Sequence, residues 1–175
     1  MEKKGLKYFS IPLKGLKNGN HHFQFDVQSD FFEHFENEVV NSGSFLVDFQ
    51  LFKEDNVSTM VFDVSGKIDT ICDRCTADIQ LPVAGNFTLL LKYGEESNST
   101  DEVLFIDPET SLLSLADIIY ECIILSIPIT KIYDCEKEKV VPCNEEVLEK
   151  LDQENEDIKA SSVWDSLKNL DLNDN

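Results

Sequence analysis

Ile68-Asp69-Thr70-Ile71-Cys72-Asp73-Arg74-Cys75-Thr76-Ala77-Asp78-Ile79-Gln80-Leu81-Pro82 is the stretch that decides how this chain folds. Upstream of it, Met60, Phe62, Val64 and Ile68 share one parity, while Asp63, Ser65, Lys67 and Asp69 share the other. Downstream, Ile79, Leu81, Val83, Phe87, Leu89, Leu91 and Tyr93 again recur at even spacing. A period of two marks half-buried strands. The Cys72–Cys75 pair therefore sits at the junction of two of them. Arg74, between the cysteines, is the only arginine in the chain.

Cys-x-x-Cys suits zinc because a tight turn can aim two thiolates at one ion, about 2.3 Å from each sulfur. A closed site needs two more ligands. Cys135 and Cys143 are candidates, so that Cys72, Cys75, Cys135 and Cys143 would hold one zinc ion. His21 and His22 are alternatives, although a His-His pair in a loop is usually just solvated. A redox role would want the pair at a helix start within a βαβ unit, and strand-like sequence follows instead. Two reduced cysteines packed at a strand end account for the pattern as well as a metal does. Cys122 shares a helical spacing with Ile118, Ile119 and Leu125 and reads as a small core residue.

The 175 residues suit one domain of ordinary size. Aromatic residues make up 10%, with twelve phenylalanines, which excludes wholesale disorder. No run of eighteen apolar residues occurs, and Met1-Glu2-Lys3-Lys4-Gly5 lacks the apolar core of a signal peptide. With five cysteines and no such signal, the expectation is a reducing, cytoplasmic setting and no membrane. Net charge is −19, unevenly spread. Residues 1–22 carry five lysines against Glu2, so the other 153 residues carry −23. An acidic body repels nucleic acid and suits a basic protein partner, though acidity for solubility alone explains it too.

In order along the chain, Tyr8 to Leu13 reads as an edge strand or extended arm. Phe23, Phe25 and Val27 mark a strand, and Ser29 or Asp30 caps a short helix holding Phe31, Phe32 and Phe35. Phenylalanines at that spacing are core packing rather than a base-stacking platform. Phe45, Val47, Phe49 and Leu51 form the inward side of a long strand. A polar hairpin at Lys53-Glu54-Asp55-Asn56 leads into the next, from about Val57 to Thr70. With the strand after the cysteines, this is an antiparallel meander. Residues 95–102 carry no apolar side chain and read as a mobile loop, followed by a short strand at Val103 and Phe105. Ser114 looks like an N-cap for a helix over Leu115 to Ser126, stopped by Pro128. That helix is expected to cover the sheet, with Glu121 pointing to solvent. Residues 144–160 are dominated by Glu and Asp with a helical seam at Val147, Leu148 and Leu151. Val163, Trp164, Leu167 and Leu170 then make an amphipathic piece that docks on the domain or on a partner.

The fold class expected is α+β: an antiparallel, barrel-like meander sheet covered by one main helix, with an acidic helical C-terminal extension. Its divisions are a basic N-terminal arm at 1–22, a core at 23–143 and the extension at 144–175. No glycine-rich phosphate loop, HExxH or GxSxG stands in the sequence.

Ile71-Cys72-Asp73-Arg74-Cys75, the strand to Leu91-Lys92-Tyr93-Gly94, and Leu115 through Pro128 with Glu121-Cys122-Ile123-Ile124-Leu125-Ser126-Ile127-Pro128 resemble the YceD family of large ribosomal RNA subunit accumulation proteins. The resemblance covers roughly residues 20–170. It implies a role in accumulation or processing of large-subunit ribosomal RNA, and no catalytic residues. Cys72, Arg74, Cys75, Glu121 and Pro128 match the family pattern, none with an established role. The function expected is thus a non-catalytic ribosome-biogenesis factor that binds a ribosomal protein or rRNA assembly intermediate. Arg74 and the lysines Lys3, Lys4 and Lys7 are the candidate RNA contacts, against a salt bridge of Arg74 to Asp73, Asp78 or a neighbour. The alternative is a metal-dependent enzyme or nuclease acting on rRNA. That would require an open coordination position and a general base, which four cysteine ligands leave no room for.

Overall fold

Strict alternation over long segments builds the five-stranded sheet on which the rest is assembled. The computed structural model describes residues 5–35, 40, 42–133 and 142–160. Strands β2 (Gly19–Val27), β3 (Gly43–Lys53), β4 (Val57–Ile71), β5 (Asp78–Tyr93) and β6 (Val103–Ile106) lie side by side in that order. Register follows the parity read from the sequence. Phe23 faces Phe49, which faces Phe62; Val47 faces Phe25 and Val64. These are the inward positions, and Phe49, Phe62, Leu51 and Met60 are fully buried. Ring centroids of Phe49 and Phe62 lie 4.7 Å apart, and those of Phe23 and Phe49 6.0 Å. The turn between β3 and β4 is closed by Ser58, whose hydroxyl accepts the Glu54 N–H at 3.1 Å.

Three features differ from the sequence-based expectation. The sheet is open rather than barrel-like, with β2 and β6 at its two ends. The meander also stops at β5, because β6 joins in parallel, Leu90 opposite Val103 and Tyr93 opposite Ile106. Third, the stretch read as an edge strand or extended arm is a strand outside the five-stranded sheet. After one 3₁₀ turn at Leu6–Phe9, β1 (Ser10–Pro12) pairs antiparallel with β7 (Leu112–Ser114), and Phe9, Ile11 and Leu13 are buried. Phe9 meets Phe31 at 4.6 Å and Phe25 at 5.9 Å, and Phe32 meets Phe45 at 5.9 Å. The phenylalanines of α1 (Ser29–Phe32) thus serve the core, as their spacing suggests.

Helix α2 (Ala116–Ser126) starts one residue later than expected, and Ser114 does not cap it. Ser114 is the last residue of β7, and Leu115 occupies the N-cap without a side-chain hydrogen bond. Its buried positions are Ala116, Ile119, Cys122 and Ile123, whereas Leu125 is 72% exposed. The stripe is rotated from the one the 3/4 spacing picks out, because Ala116 and Ile123 turn inward in place of Leu125. Tyr120 stacks on Phe35 at 4.0 Å with planes 10° apart. Gly85 in β5 lets Ser126 approach: an added Cβ would lie 3.1 Å from the Ser126 Cβ. Glu121 is exposed, as expected.

The Tyr120 hydroxyl is buried with no hydrogen-bond partner among the described residues. Removing an unsatisfied buried hydroxyl returns its desolvation cost, about 1 kcal/mol. Tyr120→Phe is therefore expected to raise the denaturant midpoint at unchanged slope; a loss of stability would show that the hydroxyl has a partner.

By contacts, the chain forms two compact units, Met1–Thr70 with Gln80–Thr130, and Ile71–Ile79 with Lys131–Asn175. The second contains the cysteine turn and α3 (Glu145–Ala160), whose first turn carries Glu145 and Glu146 at the positive end of the helix dipole. Asn144 accepts the Val147 N–H at 3.4 Å. Residues 161–175, including Trp164, lie outside the described residues.

Candidate functional site

Between the end of β4 at Ile71 and the start of β5 at Asp78, six residues reverse the chain. The Cys72 N–H donates to the Ala77 carbonyl at 2.8 Å, and the Thr76 N–H to the Cys72 carbonyl at 2.9 Å. Thr76 takes a left-handed conformation, φ 57°, unusual for a β-branched residue. The consequence is an inside-out turn. Asp73, Arg74 and Thr76 face solvent, while Cys72 and Cys75 are each 1% exposed.

A second segment clasps this tip. The Asp73 N–H donates to the Lys131 carbonyl at 2.9 Å, and the Lys131 N–H returns to the Asp73 carboxylate at 2.6 Å. This places the Tyr133 amide at the Cys72 sulfur. Burial pushes the Cys72 thiol up, but hydrogen bonds from the amides of Tyr133, Cys75 and Arg74 and from the Cys75 thiol more than offset it, leaving the thiol below its ordinary 9.0. A sulfur that collects three backbone donors is prepared for negative charge.

Of the four cysteines nominated as zinc ligands, the described residues bring Cys72 and Cys75 together as free thiols. Cys143 is disulfide-bonded, and Cys135 lies outside the described residues. Among the described residues, no three His, Cys, Asp or Glu side chains converge as a metal site. His21 contacts the Lys17 carbonyl at 2.7 Å, and His22 pairs with Asp48 at 3.2 Å.

Cys122 is a core residue of α2, as its spacing suggests. Burial, with the neighbouring Glu121 charge, pushes its thiol up to about 12. The folded value exceeds the ordinary 9.0, so its contribution to stability holds below pH 9.0 and is lost as pH rises toward 12. At pH 8 the native protein should hold about a thousandfold less Cys122 thiolate than an unfolded chain. Iodoacetamide labelling followed by peptide mapping should therefore modify Cys122 only after denaturation; labelling at equal rates in both states would contradict its burial.

Arg74 is exposed on the tip. Among the described residues it makes no salt bridge to Asp73, Asp78 or another neighbour, and the Asp73 carboxylate accepts from the Lys131 amide instead. Lys7 is exposed; Lys3 and Lys4 lie outside the described residues. The sequence missed the part played by Lys131 and Tyr133, which no spacing signals, and the left-handed Thr76, which its β-branched side chain argues against.

The outward face of the sheet concentrates carboxylates. Asp48 and Asp63 lie directly opposite each other on β3 and β4, an arrangement that costs stability unless solvated or neutralised. Side chains on the neighbouring strands hold them: Gln24 donates to Asp48 at 3.0 Å beside His22 at 3.2 Å, and Asn86 donates to Asp63. Hydrogen bonds from Ser42 and Gln80 keep Asp69 below the usual 3.8. Among the described residues, no lysine pairs with these three. The negative charge is ordered but left uncompensated by lysine.

An α+β protein with an open mixed sheet, an acidic outer face and a cysteine-bearing hairpin tip is the class these features define. The chain belongs to the YceD family, large ribosomal RNA subunit accumulation protein, whose family model matches residues 60–171. Neither a curated protein nor a solved structure matches the chain. Family membership implies a part in the large-subunit ribosomal RNA pathway.

Proposed function

We infer that this chain is a non-catalytic ribosome-biogenesis factor that supports accumulation of large-subunit ribosomal RNA by holding a basic ribosomal protein or an rRNA assembly intermediate. The observation that carries this reading is the outward sheet face, where side-chain donors hold Asp48, Asp63 and Asp69 in place and, among the described residues, no lysine pairs with them. Ribosomal proteins are basic, and ordered, uncompensated carboxylates offer them complementary charge at little desolvation cost. Arg74, on an exposed tip and without a salt bridge among the described residues, is the group for a phosphate or base edge.

The test is co-purification of large-subunit components with the full chain, with and without ribonuclease, over a salt series. Protein capture that survives ribonuclease, falls with salt and is lost in an Asp48→Asn/Asp63→Asn/Asp69→Asn variant supports the reading. Capture that vanishes with ribonuclease, or is indifferent to the triple variant, overturns the acidic-face mechanism. Arg74→Ala is expected to lower retained rRNA and flatten its salt dependence by about one phosphate contact. Turnover of rRNA by the purified protein, abolished by a chelator, would instead establish the nuclease alternative.

A further inference from the structure

We propose that the groove between β6 and β7 receives an extended, basic protein segment, which adds as a third strand along the open edge of β7. The assignment rests on this groove alone and not on the ribosomal reading. The groove has a volume of about 420 Å³ and is lined by Leu104 and Ile106 from β6, Leu112 and Ser114 from β7, and Asp117 and Ile118 from α2.

The two strands are finished differently at their outer edges. On β6, the Phe105 N–H donates to the Ser99 hydroxyl at 2.9 Å and the Val103 N–H to the Thr100 hydroxyl at 3.2 Å. The Thr100 N–H returns to the Val103 carbonyl at 2.9 Å. The loop before β6 thus covers that edge, as folded proteins commonly do to keep it from pairing with another chain. No such cover is seen on β7 among the described residues. There the ladder with β1 falls on Ser111, Leu113 and Leu115: the Leu13 N–H donates to the Ser111 carbonyl at 2.9 Å, the Leu115 N–H donates to the Phe9 carbonyl at 2.7 Å, and Leu113 stands opposite Ile11 between them. In an antiparallel pair the intervening residues turn their N–H and C=O to the far side. Those residues are Leu112 and Ser114, and among the described residues no hydrogen bond from another element reaches either backbone. Leu112 is also 55% exposed. An open ladder edge beside apolar pockets is what strand addition uses, main-chain bonds giving affinity and the pockets giving selectivity.

Charge decides which segment fits. Residues 95–118, which contain both strands, carry seven carboxylates and neither lysine nor arginine. Lys14 pairs with Glu109 at 2.8 Å, whereas Asp117, on the groove itself, makes no ion pair among the described residues. A strand with apolar side chains on one side and lysine or arginine on the other meets both requirements. Its apolar side covers Leu104, Ile106, Leu112 and Ile118, and its cations meet Asp117 and the acidic segments that flank the strands. A second copy of this chain, with a net charge of −19, would bring like charge to the same place.

The probe is a short, terminally blocked peptide of alternating lysine and valine, titrated into the isotope-labelled full chain. Saturable binding is expected, with amide exchange at Leu112 and Ser114 slowed about tenfold or more in the complex. The same peptide N-methylated at alternate residues loses its ladder donors and should bind about tenfold more weakly. Glutamate in place of lysine should abolish binding. Leu112→Lys sets a cation on the edge without touching the β1 ladder and should weaken binding about tenfold. The Asp48→Asn/Asp63→Asn/Asp69→Asn variant should bind the probe as the wild type does, so failure of the groove and failure of the acidic face are read separately. Unchanged exchange at Leu112 and Ser114, or equal affinity for the methylated or the glutamate peptide, would overturn the proposal. Should Leu112→Lys fold poorly, the methylated peptide decides on the wild-type chain. Protection of both amides before any peptide is added would also overturn it: protection that grows with protein concentration would assign the groove to a second copy, and protection that does not would assign it to a segment of the chain itself.

Discussion

Phe49→Ala should cost about 4 kcal/mol, the largest loss expected from one side-chain truncation in this protein. Phe49 is wholly buried at the centre of the sheet's inner face, between Phe23 at 6.0 Å and Phe62 at 4.7 Å. All three stand in one row across β2, β3 and β4, so the ring cannot be replaced by collapse of a mobile neighbour. Against a typical stability of about 5–15 kcal/mol, that loss leaves a marginal fold. At about 2–4 °C per kcal/mol for a chain of this size, thermal unfolding should begin about 10 °C earlier. A shift under about 3 °C would mean the inner face is less tightly packed than the burial of Phe49 indicates.

A single methyl at Gly66 should cost nearly as much, for a different reason. Gly66 faces Phe45 in the β3–β4 ladder, and an added Cβ would lie 2.6 Å from Phe45 Cδ1 and 2.8 Å from Phe45 Cα, besides striking the Ser44 carbonyl oxygen. A side-chain atom can move aside; the partner strand's Cα and carbonyl can move only if the ladder opens. Gly66→Ala is expected to destabilise by about 3 kcal/mol, at the upper end for overpacking. Gly5→Ala is the internal control, because nothing lies within 4 Å of a Cβ there and the substitution should be neutral. Equal urea midpoints for the two variants would remove the argument from contact at position 66.

Strands β3, β4 and β5 were legible because their alternation runs for eleven residues or more, long enough for parity to fix both register and face. Short elements were not. Neither β1 nor β7 exceeds three residues, and a three-residue strand has no measurable period. The parallel direction of β6 is likewise set by where the chain returns rather than by its side chains. Ser114 failed as a cap because its backbone was already committed to pairing with Ser10. Of the candidate site, the cysteine pair and its place at a strand junction could be read directly. Its support from Lys131 and Tyr133 could not, since backbone amides donate whatever side chain they carry.

The pairing of Ile11 with Leu113 has a consequence for biosynthesis. Phe9 and Ile11 leave the ribosome well before their strand partner, which emerges about a hundred residues later. At about 5–20 residues per second, they wait several seconds with apolar side chains uncovered. Nascent-chain folding should therefore complete only after residue 114 has cleared the exit tunnel, and chains stalled before that point are natural clients for a chaperone that recognises the uncovered Tyr8 and Phe9.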